Sequence, residues 1–200
     1  MGTVLVMNKA IIVALVGATV LAGGCGTVLR EVERLAVQPS PSVGTPTSVT
    51  SSPARAPGAA DLARAAQAAL GAVPGSTLTS IEAEEHGHVW EVEVVSQDGT
   101  EHQMDVRDGK VVSGPTPEDD DARDKAERSK LLSAAKLDYA RAAAKITAAV
   151  PEGRITELSL DTERGRTVWE ADVRTPDGTK HEVAVDAVTG EITRNNGTRT

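Results

Sequence analysis

Phenylalanine is absent from this 200-residue chain, tyrosine and cysteine occur once each, and tryptophan occurs twice. With aromatics at 2% and hydrophobic residues at 40%, a core has to be assembled from Ala, Val, Leu and Ile around single indoles. A lone cysteine, Cys25, excludes an internal disulfide framework and leaves the rest of the chain without a thiol nucleophile. No His-Glu-x-x-His pair is present, which removes that zinc-peptidase signature. Basic residues are in deficit, 21 Lys and Arg against 29 Asp and Glu, for a net charge of −8. That balance argues against nucleic acid, whose phosphates call for clustered cations, and against electrostatic docking on anionic lipid.

What the chain does have is a duplication. Val89-Trp90-Glu91, Asp98-Gly99-Thr100-Glu101-His102 and Val106 return in the same order as Val168-Trp169-Glu170, Asp177-Gly178-Thr179-Lys180-His181 and Val185. The two tryptophans stand 79 positions apart, as do His102 and His181, while Val73-Pro74 and Val150-Pro151 stand 77 apart. Each repeat is 55 to 60 residues long, near the small end of what folds unaided.

Residues 1–24 lie outside the repeats. Lys9 is followed by an apolar run from Ala10 to Ala22 and then Gly23-Gly24-Cys25, an export-signal pattern too short to span a bilayer. Initiation at Met7 would give a tighter signal. The segment Leu21-Ala22-Gly23-Gly24-Cys25 resembles the bacterial lipoprotein signal, with Ala22 where a larger aliphatic residue is commoner. The resemblance implies cleavage before Cys25, lipid attachment at its sulfur and residence at the extracytoplasmic face of the cell membrane. Residues 25–58 are rich in Pro, Ser and Thr and keep neither a helical nor an alternating period, so a disordered tether is expected there.

The first repeat is expected over 59–114. Leu62, Ala65, Ala66, Ala69 and Val73 share one helix face, Asp61 is placed as its N-cap, and Pro74-Gly75 stops it. Alternation then takes over. Ile81 and Ala83, then Trp90, Val92 and Val94, then His102, Met104 and Val106 each line one strand face, with Glu91, Glu93, Glu101, Gln103 and Asp105 on the opposite parity. Asp98-Gly99 and Asp108-Gly109 supply hairpin turns, the second leading into a short strand from Lys110 to Val112. Residues 115–136 form an acidic linker and connecting helix, in which Glu118-Asp119-Asp120-Asp121 sits at a helix start, favoured by the dipole. That run lacks the Gly and distal Glu of a calcium loop, and a solvated helix start is expected. The second repeat spans 137–195, with Asp138 as helix cap and strands matching those of the first. Residues 196–200 are expected to be a frayed tail. The fold class is therefore α+β: two tandem repeats, each one helix on an antiparallel meander of three to four strands.

Val150-Pro151-Glu152-Gly153, Val168-Trp169-Glu170, Asp177-Gly178-Thr179 and Val183-Ala184-Val185-Asp186-Ala187-Val188-Thr189-Gly190-Glu191, with their earlier copies, resemble the PepSY domain. The first copy departs from the Val-Asp-x-x-Thr-Gly ending. The resemblance implies a non-enzymatic, membrane-anchored binding module of the cell envelope, without cofactor, regulating or inhibiting a secreted peptidase in trans. The alternative is a small-ligand or metal-ion sensing lipoprotein. It brings no catalytic residues. The metal candidates are His86 and His88, two imidazoles beside Glu84 and Glu85 at a hairpin tip; the second repeat has Glu163-Arg164-Gly165-Arg166 there. His102 and His181, on the apolar parity, are expected to pack with one polar tip, and both indoles to belong to the core.

Overall fold

The computed structural model describes residues 59–84 and 87–199. The signal segment, Cys25, the tether and His86 lie outside the described residues. Turn chemistry decides where the strands begin. Asp108 (φ 52) with Gly109 (φ 71), and Arg164 (φ 52) with Gly165 (φ 79), take positive φ at consecutive positions, the backbone that lets a two-residue hairpin follow the strand twist. The two Asp-Gly-Thr turns share another device. Asp98 accepts from the Ser96 hydroxyl at 2.5 Å and the Thr100 amide at 3.1 Å. Asp177 accepts from the Thr175 hydroxyl at 2.5 Å and the Thr179 amide at 3.2 Å. These bonds hold the Asp98 carboxyl down at about 2, the Ser96 hydroxyl being the largest cause.

The elements run α1 (Ala59–Ala72), β1 (Thr77–Glu84), β2 (Val89–Val95), β3 (Glu101–Arg107), β4 (Lys110–Pro117), α2 (Ala122–Ala134), α3 (Tyr139–Ala149), β5 (Arg154–Glu163), β6 (Arg166–Arg174), β7 (Thr179–Asp186) and β8 (Ile192–Arg199). Both meanders have four strands, and they are not separate sheets. β1 pairs antiparallel with β5, so all eight strands form one sheet in the order β4-β3-β2-β1-β5-β6-β7-β8. The junction is short: Ser80 faces Ser159, Ile81 faces Leu158 and Glu82 faces Glu157. Ile81 and Leu158 are repeat equivalents, so a pseudo-twofold axis passes between them.

Helix α1 packs on β1 to β4 and α3 on β5 to β8. The alternation seen in the sequence builds the core beneath them. Leu62, Ala66, Ile81, Trp90, Val92 and Met104 from the first half join Ile146, Leu158, Trp169, Val173 and Val183 from the second in a single buried cluster. Trp90 and Trp169 occupy equivalent ladder positions, opposite Val106 and Val185, and both are buried. The Trp169 Nε1–H donates to the Leu137 carbonyl at 2.9 Å, giving the buried indole the polar partner it needs. The chain between α2 and α3 is tied there as well, since the amides of Lys136 and Leu137 both donate to the Ala187 carbonyl.

Several expectations are corrected. Asp138 caps α3, accepting from the Arg141 amide at 2.8 Å, but α1 begins at Ala59, so its repeat partner Asp61 lies inside the first helical turn and pairs with Arg64. The strand after Asp108-Gly109 does not stop at Val112. β4 continues through Pro115 to Pro117, which is tolerated because β4 is an edge strand with two register shifts. The frayed tail is a strand instead: Asn196 faces Glu182 and Thr198 faces Lys180. The acidic run is not uniformly solvated. Asp121 caps α2 through the Arg123 and Asp124 amides, whereas Asp120 is half-buried against Arg128 at 2.8 Å, and Arg128 also holds buried Glu101 at 2.6 Å. Arg128 thereby fastens α2 to the first meander.

Candidate functional site

Cross-strand partners in an antiparallel ladder point to the same face of the sheet. The polar residues on the face away from α1 and α3 can therefore be followed from strand to strand. Asp105 on β3 is opposite Glu91 on β2, and Glu91 is opposite Glu82 on β1. Glu82 is opposite Glu157 on β5, Glu157 is opposite Asp172 on β6, and Asp172 is opposite Glu182 on β7. Ser113 and Asn196 complete the row at the two edges. Six adjacent strands thus each present a carboxylate at one level, with neighbours one strand spacing apart, roughly 4.8 Å. Like charges set directly opposite one another are destabilising, and here the arrangement recurs five times in succession.

The electrostatics follow from this crowding. Burial raises the Glu157 carboxyl to about 7, and Glu82 and Asp172 add to the rise. Glu82 is raised as well, by burial and then by Glu84, Glu91 and Asp172. Lys180 relieves one end through an ion pair with Asp172 at 2.6 Å, and that pair raises its own pKa. Arg194 is engaged one level away, with Glu163 at 2.8 Å and Glu170 at 3.0 Å. Between these two cations the face dips into a cleft of about 270 Å³, lined by Glu157, Ser159, Glu170, Asp172, Lys180 and Glu182 among others.

Of the residues singled out in the sequence, His88 is exposed beside a small depression that it shares with Asp61, Arg64 and Asp108. Among the described residues, the acidic or histidine groups whose ligand atoms converge in a trio are Glu101, Glu118 and Asp120, and Arg128 already occupies that position. His181 lies on the helix side of β7 as expected, partly exposed, with its Nδ1 3.3 Å from the Asn195 Oδ1. His102 is likewise partly exposed. What sequence reasoning missed is the continuity of the carboxylates. Glu91 and Asp105 stood out on the polar parity of their strands, but Glu82, Glu157, Asp172 and Glu182 were not joined to them.

The class that this architecture defines is a tandem-meander α+β protein: a single antiparallel sheet, with the helices α1 and α3 on one side and a row of six carboxylates on the other. The profile of the family described as PepSY, "Peptidase propeptide and YPEB domain", matches residues 60–114 and 136–195, and the chain belongs to that family. No curated protein matches it. Among solved structures, a Clostridium difficile 630 protein described as a candidate lipoprotein is 20% identical, with 70% of this chain and 91% of that one covered and a TM-score of 0.43.

Proposed function

We propose that this protein is a non-catalytic binding module held at the extracytoplasmic face of the membrane through lipid on Cys25, where it restrains a secreted or envelope peptidase acting in trans. The observation that carries this reading is the division of the sheet. Both α1 and α3 are spent on one face, and the other carries a carboxylate on each of six adjacent strands of the single sheet. Membership in a family named for peptidase propeptides supports the choice of partner. The sequence Leu21-Ala22-Gly23-Gly24-Cys25 supports the anchor.

Two measurements test it. The full chain, used as crosslinked bait in the secreted fraction of its own cells, recovers a peptidase and lowers that peptidase's activity in a titration. Recovery of nothing above a mock bait removes the reading. Mass spectrometry of the membrane fraction finds a lipid-modified N-terminal Cys25, and Cys25→Ser releases the protein. A second reading, an envelope sensor of a small ligand or metal ion, draws on the cleft between Lys180 and Arg194. It requires a ligand-dependent rise in Tm with no protein partner present.

A further inference from the structure

We infer that the depression beside Trp90 is a peptide-binding seat, and that it takes a short segment of the partner protein whose backbone carbonyl accepts the Trp90 indole N–H. The partner as the source of that segment rests on the binding-module reading. The seat itself rests on a comparison of the two repeats.

In the second repeat the Trp169 Nε1–H donates to the Leu137 carbonyl at 2.9 Å. The Lys136 and Leu137 amides donate to the Ala187 carbonyl at 2.8 and 2.9 Å, and the Leu137 side chain packs against the core. A short non-helical peptide thus lies over Trp169 and ends at Asp138, the cap of α3. In the first repeat the equivalent of Leu137 is Ala60, at the spacing of 77 that also joins Asp61 to Asp138. Because α1 begins at Ala59, Ala60 stands in the first helical turn, and its carbonyl is aimed along the helix axis toward the amide four residues on. It cannot turn to an indole. Trp90 is only 4% exposed, yet among the described residues its N–H has no acceptor. A buried tryptophan normally finds one.

The depression that Trp90 lines, about 100 Å³, is shared with Asp61, Arg64, His88 and Asp108. Four of these five are the repeat equivalents of residues around Leu137: Asp61 of Asp138, Arg64 of Arg141, Trp90 of Trp169 and Asp108 of Ala187. The first repeat therefore keeps the walls of the seat, while its own helix has drawn away the residue that would sit there. Charge and volume select the occupant. A metal ion brings no acceptor for an N–H, and among the described residues the converging ligand trio lies elsewhere, at Glu101, Glu118 and Asp120. A free anion meets the carboxylates of Asp61 and Asp108, and Arg64 is already paired with Asp61. A neutral carbonyl meets neither obstacle, and it is the acceptor that Trp169 uses. A second copy of this chain has its matching segment, Lys136-Leu137, bonded into its own fold. A short peptide of another protein, with an apolar side chain where Leu137 has one, agrees with the seat.

The test follows the two indole N–H resonances of the nitrogen-15-labelled full chain in neutral detergent; the one that Trp90→Phe removes belongs to Trp90. The probe is the acetylated and amidated peptide Ala-Ala-Lys-Leu, the sequence of residues 134–137. Without peptide, the Trp90 N–H is expected to exchange with water at least about tenfold faster than the bonded Trp169 N–H. The peptide is expected to move the Trp90 resonance downfield with saturation, to slow its exchange and to leave Trp169 in place. Trp90→Phe keeps a large ring in the core and should weaken the peptide about fivefold, the worth of one hydrogen bond, as read from the peptide's own line widths. The exchange measurement on the unsubstituted chain does not depend on how that variant folds. Protection of the Trp90 N–H equal to that of Trp169 before peptide is added, a shift that does not saturate, or undiminished binding to Trp90→Phe would overturn the inference. Failure of the peptidase reading looks different: the peptide binds at Trp90, yet the chain neither captures nor restrains a peptidase.

Discussion

Replacing Glu157 with Gln should make the protein more stable, and only above mildly acidic pH. In the fold this carboxyl titrates at about 7 instead of 4.5 because it is half-buried beside Glu82 and Asp172. A folded-state pKa above the unfolded value means that the native state holds the proton more tightly. The stability linked to that proton is therefore fully present below about 4.5 and is lost as pH rises through 7. A rise of this size corresponds to at most about 3 kcal/mol, and solvent screening at a half-exposed site brings it to roughly 1–2 kcal/mol. The Gln amide keeps a donor for Asp172 and carries no charge. The variant and the unsubstituted chain should therefore unfold alike at pH 4 and diverge by about 1–2 kcal/mol at pH 8, or roughly 3–8 °C in Tm for a unit of this size. Urea unfolding at pH 4, 6 and 8 measures the difference, and Glu82, which is also raised, should leave a residual slope in the variant. Equal stability at pH 8, or a pH slope unchanged by the substitution, would refute the claim that the two halves meet across an unfavourable carboxylate pair.

Three further predictions follow from particular contacts. Arg128→Ala removes the ion pairs to buried Glu101 and half-buried Asp120. It should cost about 3–5 kcal/mol in denaturant unfolding, whereas an exposed pair such as Arg123 with Glu127 should contribute less than about 1 kcal/mol. Trp169→Phe removes the bond to the Leu137 carbonyl and should cost about 1–3 kcal/mol, with hydrogen exchange at the Lys136 and Leu137 amides accelerated because that segment loses one of its ties. Asp98 should remain ionised down to about pH 2 in a carbon-13 carboxyl titration. Its contribution to stability, the reverse case of a lowered pKa, should persist above 3.8 and vanish as pH falls through 2; Ser96→Ala should return the midpoint toward 3.8.

The hairpins were legible because their information is local. Two Asp-Gly-Thr segments, an Asp-Gly pair and a Pro after α1 and after α3 state where the chain turns. The period of two around Trp90 and Trp169 states which side of each strand is buried. The errors fell where local signals compete with pairing partners. Pro115 and Pro117 spoke for a break, yet an edge position spared β4 the hydrogen bonds that proline cannot make. The polar tail from Asn196 onward carries no apolar alternation, but β7 offered it a free edge. Asp61 matched Asp138 by repeat spacing, while α1 starts earlier than α3 does relative to it. At the candidate site, Glu91 and Asp105 were visible as polar-parity residues, and their joining to Glu157 and Asp172 was not.

The amino-acid order alone settled the duplication, the alternating faces, the aromatic-poor core around two indoles and an acidic surplus carried on the polar sides of the strands. Only the assembled tertiary structure decided that β1 and β5 pair, that Ile81 meets Leu158, and that Glu82 therefore stands against Glu157. The reason is that a two-residue period is preserved when one strand slides past another by two positions. Periodicity can assign a side chain to a face but not to a neighbour. Neighbours are chosen when the two helices and both indoles close over one core, and the charge on the opposite face has to accept the register that this packing imposes.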